Sequence, residues 1–77
     1  MAVAGGIARS FSQIAFDGNW DRVTAPGDAG SLFTLVARSL APIFIDDMTT
    51  PWNNGPLPVG TIVTLDMAAR WVIVTLP

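Results

Sequence analysis

The sequence predicts a mainly β fold, a small antiparallel sandwich or barrel of five or six short strands with at most one short helix. Three observations predict it. β-Branched and apolar runs recur toward the C-terminus, at residues 61–65 and 70–76, separated by a link of hairpin length. Glycine, proline, asparagine and aspartate punctuate the chain at short intervals. The two stretches with helical spacing, 7–16 and 31–40, are both short, and both also read as strands.

Residues 1–6 (Met-Ala-Val-Ala-Gly-Gly) are small and form a flexible arm ahead of a single β domain over 7–77. Between 7 and 16, Ile7, Phe11, Ile14 and Ala15 would share a helix face, whereas Ser10, Ser12, Ile14 and Phe16 would share a strand face. The strand is preferred, because so short a helix without a side-chain N-cap is marginal and Asp17-Gly18 signals a turn. Residues 17–30 are a loop region, with a 20–24 segment able to pair back as a hairpin arm.

Over 31–40 two readings compete. Ser31 would cap a helix burying Leu32, Leu35, Val36 and Leu40, with Pro42 as its stop. As a strand, Phe33, Leu35 and Ala37 oppose Leu32, Thr34 and Val36, so both faces are apolar; such a strand is covered twice or offers a free face to another subunit. Ile43-Phe44-Ile45 is a short β run bounded by Pro42 and Asp46. Residues 49–58 hold three prolines and an Asn-Gly pair and form a rigid irregular loop. The clearest element closes the chain: two strands, 61–65 and 70–76, joined by Asp66-Met-Ala-Ala69.

Composition sharpens this picture. The chain has 77 residues, 51% of them hydrophobic against 13% charged. A domain this short buries only about 60% of the surface its unfolded chain exposes, and disulfides, metals or association usually supplement such a core. With no Cys and no His, disulfides and soft-metal sites are excluded, which leaves association.

Lys, Glu and Tyr are missing as well. Without these groups there is no Ser-His-Asp or Cys-His arrangement and no P-loop lysine, so the expectation is a non-enzymatic protein without cofactors. Six Asp and four Arg remain. Adjacent Asp46 and Asp47 would point to opposite faces of a strand and so could not share a proton as a catalytic dyad does. A net charge of −2 and four scattered arginines argue against a nucleic-acid partner. The first residues lack the charged and apolar regions of a signal peptide. The longest apolar-rich stretch, 32–45, is broken by Thr34, Arg38, Ser39 and Pro42 and is too short to cross a bilayer of about 30 Å as a helix. A membrane role is therefore not expected.

Two constellations carry candidate chemistry. Asp17, Asn19 and Asp21, with Asp28 at the twelfth position, follow the spacing of a calcium loop, but Arg22 stands where such a loop needs glycine and no flanking helices are evident. The expectation is no bound metal, these four residues being weak candidates beside the simpler reading of an Asx-rich turn. Trp20 and Trp52 sit beside acidic and amide residues, including Asn53 and Asn54, as aromatic platforms do in sugar-binding loops. The simpler reading is preferred: each indole anchors its loop to the core or to a neighbour. Phe44, Trp52, Trp71 and Leu76 are candidate apolar interface anchors, with Arg38 and Arg70, read as strand residues, as candidate interface cations.

The opening Met-Ala-Val-Ala-Gly-Gly, the segment Leu57-Pro-Val-Gly-Thr-Ile-Val-Thr-Leu65 and the closing Arg70-Trp-Val-Ile-Val-Thr-Leu-Pro77 give the chain a recognisable style. In that style it resembles the small structural proteins of bacteriophage virions, the capsid cement or decoration and tail-associated polypeptides. The resemblance implies a structural subunit of the virion, assembled in the host cytoplasm, whose partners are copies of itself and a larger capsid or tail protein. It assigns no site residue. Alternative expectations are a glycan- or calcium-binding β module and a small inhibitor that caps a host enzyme.

Overall fold

A computed structural model of the chain describes residues 6–46 and 55–77. Seven short strands follow one another: β1 (Gly6–Ser10), β2 (Ile14–Phe16), β3 (Trp20–Val23), β4 (Leu32–Ala37), β5 (Ile43–Ile45), β6 (Ile62–Asp66) and β7 (Trp71–Thr75). They build a five-stranded sheet in the order β1-β7-β6-β4-β3 and a two-stranded sheet of β2 and β5, every pairing antiparallel. The mainly β architecture is as predicted, with seven strands where five or six were expected. Both ambiguous stretches are strands. Among the described residues there is no helix, and so none long and apolar enough to cross a membrane.

The final hairpin forms where its β-branched runs predict it, one residue later than the spacing suggested. Asp66 lies opposite Trp71, so the connection is residues 67–70. Asp66 Oδ1 accepts the amides of Ala68 at 3.0 Å and Ala69 at 2.9 Å, which starts the turn. Arg70, with φ 59°, ends it in the left-handed region. Arg70 is thus a turn residue and Arg38 follows the end of β4, which corrects the expectation that both lie inside strands. β7 lies between β1 and β6, so it cannot extend a partner's sheet as an edge.

The core lies between the two sheets. Val63, Leu65, Val72 and Val74 from β6 and β7, with Ala37 from β4, face Ile43 and Ile45 from β5. Phe11, Trp20, Ala41 and Leu57 close its margins. Ile14 and Phe16 of β2 and Phe33 and Leu35 of β4 pack against it half-buried. Two strands are needed to cover one face of five, and they reach over because the chain bends between β1 and β2.

That bend is tied down from two sides. Phe11 donates its amide to the Arg70 carbonyl, and the Arg70 guanidinium donates to the Ser12 carbonyl. From the end of β5, Asp46 Oδ1 accepts the amides of Ser12 at 2.8 Å and Gln13 at 3.5 Å, and its own amide donates to the Gln13 carbonyl at 2.9 Å. Asp46 Oδ2 takes Arg9 at 3.3 Å. Among the described residues, Asp46 (φ 64°) and Arg70 are the two non-glycine residues with positive φ, and both serve this bend.

Candidate functional site

In an antiparallel pair, residues directly opposite each other share a face, so the register fixes what the far side of the five-stranded sheet presents. A first row runs Ser10, Trp71, Asp66 and Leu32. The middle row runs Ala8, Ile73, Thr64, Thr34 and Val23. The third runs Gly6, Thr75, Ile62, Val36 and Asp21. No strand of the described residues covers these rows. Trp71 is 49% exposed, Ile73 46%, Ile62 43% and Val23 38%, values normally tolerated singly on a surface but here grouped on one sheet face.

One side of this face is partly occupied. The turn after β3 has Gly27 at φ 91° with the Asp28 amide bonded to the Ala25 carbonyl, a type II turn in which Pro26 and Gly27 hold the central positions. Asp28 Oδ2 accepts the Ala25 amide at 3.2 Å, and Oδ1 accepts the Thr34 hydroxyl at 3.0 Å. This clip buries Thr34 and sets the loop over the β4 side. The open part of the face is therefore β1, β7 and β6.

The calcium-loop residues are not gathered into a cage. Asp17 accepts the Asn19 amide at 2.9 Å and the Asn19 side chain at 3.2 Å, an Asx turn in the tight link that carries the chain from β2 in one sheet to β3 in the other. Asp21 points from β3 toward Arg38 at 3.4 Å, and Asp28 is spent on its own turn. Among the described residues no group of three carboxylates converges.

Of the two readings of Trp20, the structure places the preferred one, an anchor to the core, and not the sugar platform. Trp20 is the first residue of β3, 7% exposed, with its ring edge-on to Phe16 at 5.4 Å and its Nε1 donating to the Pro42 carbonyl at 3.0 Å. Buried and bonded in this way, it anchors the β2–β3 turn to the core and offers no ring face to a sugar. Trp52, Asn53 and Asn54 lie outside the described residues, as do residues 1–5 of the expected arm.

The interface candidates divide in the same manner. Trp71 stands on the open face. Leu76 is exposed just beyond β7, and Phe44 is half-buried on β5, opposite Ala15. Arg38 is engaged within the chain, by Asp21 and the Gly18 carbonyl, and Arg70 by the Ser12 carbonyl. Ile62, Ile73 and Val23 are face residues that sequence reasoning missed, although counting by twos from Trp71 and across the hairpin would have found Ile73 and Ile62.

Both edge strands carry an arginine on the core-side face. Arg9 of β1 lies opposite Val72 and is held by Asp46. Arg22 of β3 lies opposite Leu35, with its guanidinium 4.2 Å from the Phe33 ring centre. Inward-pointing charges on edge strands hinder the docking of a further strand, so the sheet is poor at growing sideways and open on its far face. No protein-family model, curated protein or solved structure matches this chain.

Proposed function

We propose that this chain is a non-enzymatic structural subunit of a larger assembly, a bacteriophage virion component of the capsid cement, decoration or tail type, which joins its neighbours through the far face of the five-stranded sheet. The observation that carries the proposal is the grouping of Trp71, Ile73 and Ile62, all more than a third exposed, on the open β7 and β6 part of one sheet face. Grouped apolar surface of this kind is what association buries. The virion context is supported by the style of the sequence. The non-enzymatic reading is supported by the missing proton-transfer residues and by the local bonds that occupy Asp17, Asp28 and Asp46.

Gradient sedimentation of virions with added chain tests the proposal. The chain is expected to migrate with the particle in many copies, and Trp71→Asp is expected to remain at the top. Binding of one host enzyme at equal stoichiometry, with no particle association of the wild type, would overturn it in favour of an inhibitor.

A further inference from the structure

We infer that β1 and Phe11 are an exchangeable segment: residues 6–11 leave their own β7 and take the same place on the β7 of a second copy of this chain. The exchange concerns the edge of the five-stranded sheet and does not rest on its far face. It follows first from how β1 is held. Ile7, Ala8, Arg9 and Ser10 are all exposed, and among the described residues β1 alone of the seven strands has no buried or half-buried side chain. The strand is held by five register pairs with β7, by the Phe11 amide on the Arg70 carbonyl at 3.0 Å, by Arg9 on Asp46 at 3.3 Å, and by the buried Phe11 ring. Each of these contacts joins residues 6–11 to a distant part of the chain, so the same segment of a second copy reproduces all of them. The ladder accepts any extended segment, whereas the slot for Phe11 and the carboxylate that meets Arg9 select this one.

The link to β2 gives the second reason. Residues 11–13 carry the chain from one sheet to the other, and Asp46 accepts the amides of Ser12 and Gln13 from a left-handed conformation, φ 64°. A short link held under strain favours passing an identical element to a neighbour, because the exchanged pair keeps its contacts and the link no longer folds back. Exchange replaces an edge strand without adding one, so the inward arginines do not oppose it, and Arg9 meets an identical Asp46. It gains no contact, so concentration decides. A strand on a short link sees its own slot at an effective concentration on the order of millimolar, so micromolar chains stay closed. Exchange takes over at millimolar concentration, or where an assembly holds copies side by side.

The chain has no native cysteine, so a disulfide reports which β1 lies on which β7. Ile7 lies directly opposite Val74 on the core-side face, where contact through the far face cannot bring them together. Ile7→Cys and Val74→Cys chains, mixed in urea and refolded together at millimolar concentration in oxidising buffer, are expected to give a covalent heterodimer. Refolding at micromolar concentration should give at least about tenfold less of it. Neither chain alone should give it, and the two substitutions on one chain should close the same bond internally at micromolar concentration. A chain lacking Ser12 and Gln13, too short to fold back, should be dimeric even at micromolar concentration. A wild type that elutes wholly as monomer after millimolar refolding, or no heterodimer where the double variant closes, would overturn the inference. So would a heterodimer that is lost when both chains also carry Trp71→Asp, since that result assigns the contact to the far face. If exchange fails while the chain migrates with virions and Trp71→Asp does not, the assembly reading stands without it.

Discussion

The two faces of the five-stranded sheet are built from the same strands and similar residues, yet they do different work. On β7, Val72 and Val74 are fully buried beneath β2 and β5, while Trp71, the larger side chain, stands half-exposed one residue away. On β6, Val63 and Leu65 are buried and Ile62 is not. Hydrophobicity alone therefore does not decide which face becomes core. What decides it is the bend at residues 11–13, which carries β2 across one face and leaves the other bare. The inner face supplies stability, and the outer face, among the described residues, leaves apolar surface in contact with water.

The sharpest way to break the comparison is to put a charge on each face in turn. Val72→Asp buries an unpaired carboxylate, at a cost of at least about 3–5 kcal/mol. That is as much as a core of this size supplies, so the expected outcome is loss of the cooperative thermal transition seen by circular dichroism. A gentler pair sharpens it. Ile43→Ala opens a cavity in the fully buried core and should lower the unfolding free energy in urea by about 2–5 kcal/mol. Ile73→Thr should change that of the monomer by less than about 0.5 kcal/mol.

Asp46→Ala tests the bend that separates the faces. It removes the acceptor of two backbone amides and the partner of Arg9, and leaves alanine in a left-handed conformation, so a loss of about 1–3 kcal/mol is expected in the same urea measurement. The smallest effect belongs to Asp21→Ala, which deletes an exposed ion pair with Arg38 at 3.4 Å. It should shift stability by no more than about 0.5 kcal/mol, and less at high salt.

How much of this was legible in the sequence follows from the range of the interactions. The last hairpin was legible because its β-branched runs and four-residue link are local. That β4 has two apolar faces was legible too, and it correctly raised the question of a free one. The bend was not, because Ser12 and Gln13 are held by Asp46 and Arg70, more than thirty residues away, with nothing nearby to signal it. Arg70 hid its role because a left-handed turn position is normally announced by glycine. Trp20 was legible as an anchor from its indole and loop setting, but the register opposite Ala37 that turns its ring inward comes from pairing with β4, a strand more than ten residues further on. Trp71 was legible as an interface candidate by its size and strand context, but the neighbours that make it part of a face come from register.

Trp71 and Val72 are adjacent, and one substitution at each separates the account from its rivals. The direct measurement is the melting temperature of the wild type and Trp71→Asp across a hundredfold range of concentration, beside Val72→Asp. The wild-type melting temperature is expected to rise with concentration, as linkage to association requires. Trp71→Asp should match the dilute wild type and not respond to concentration, and Val72→Asp should show no transition. A Trp71→Asp chain that unfolds as Val72→Asp does, or a wild-type melting temperature independent of concentration, would contradict the division of labour between the two faces.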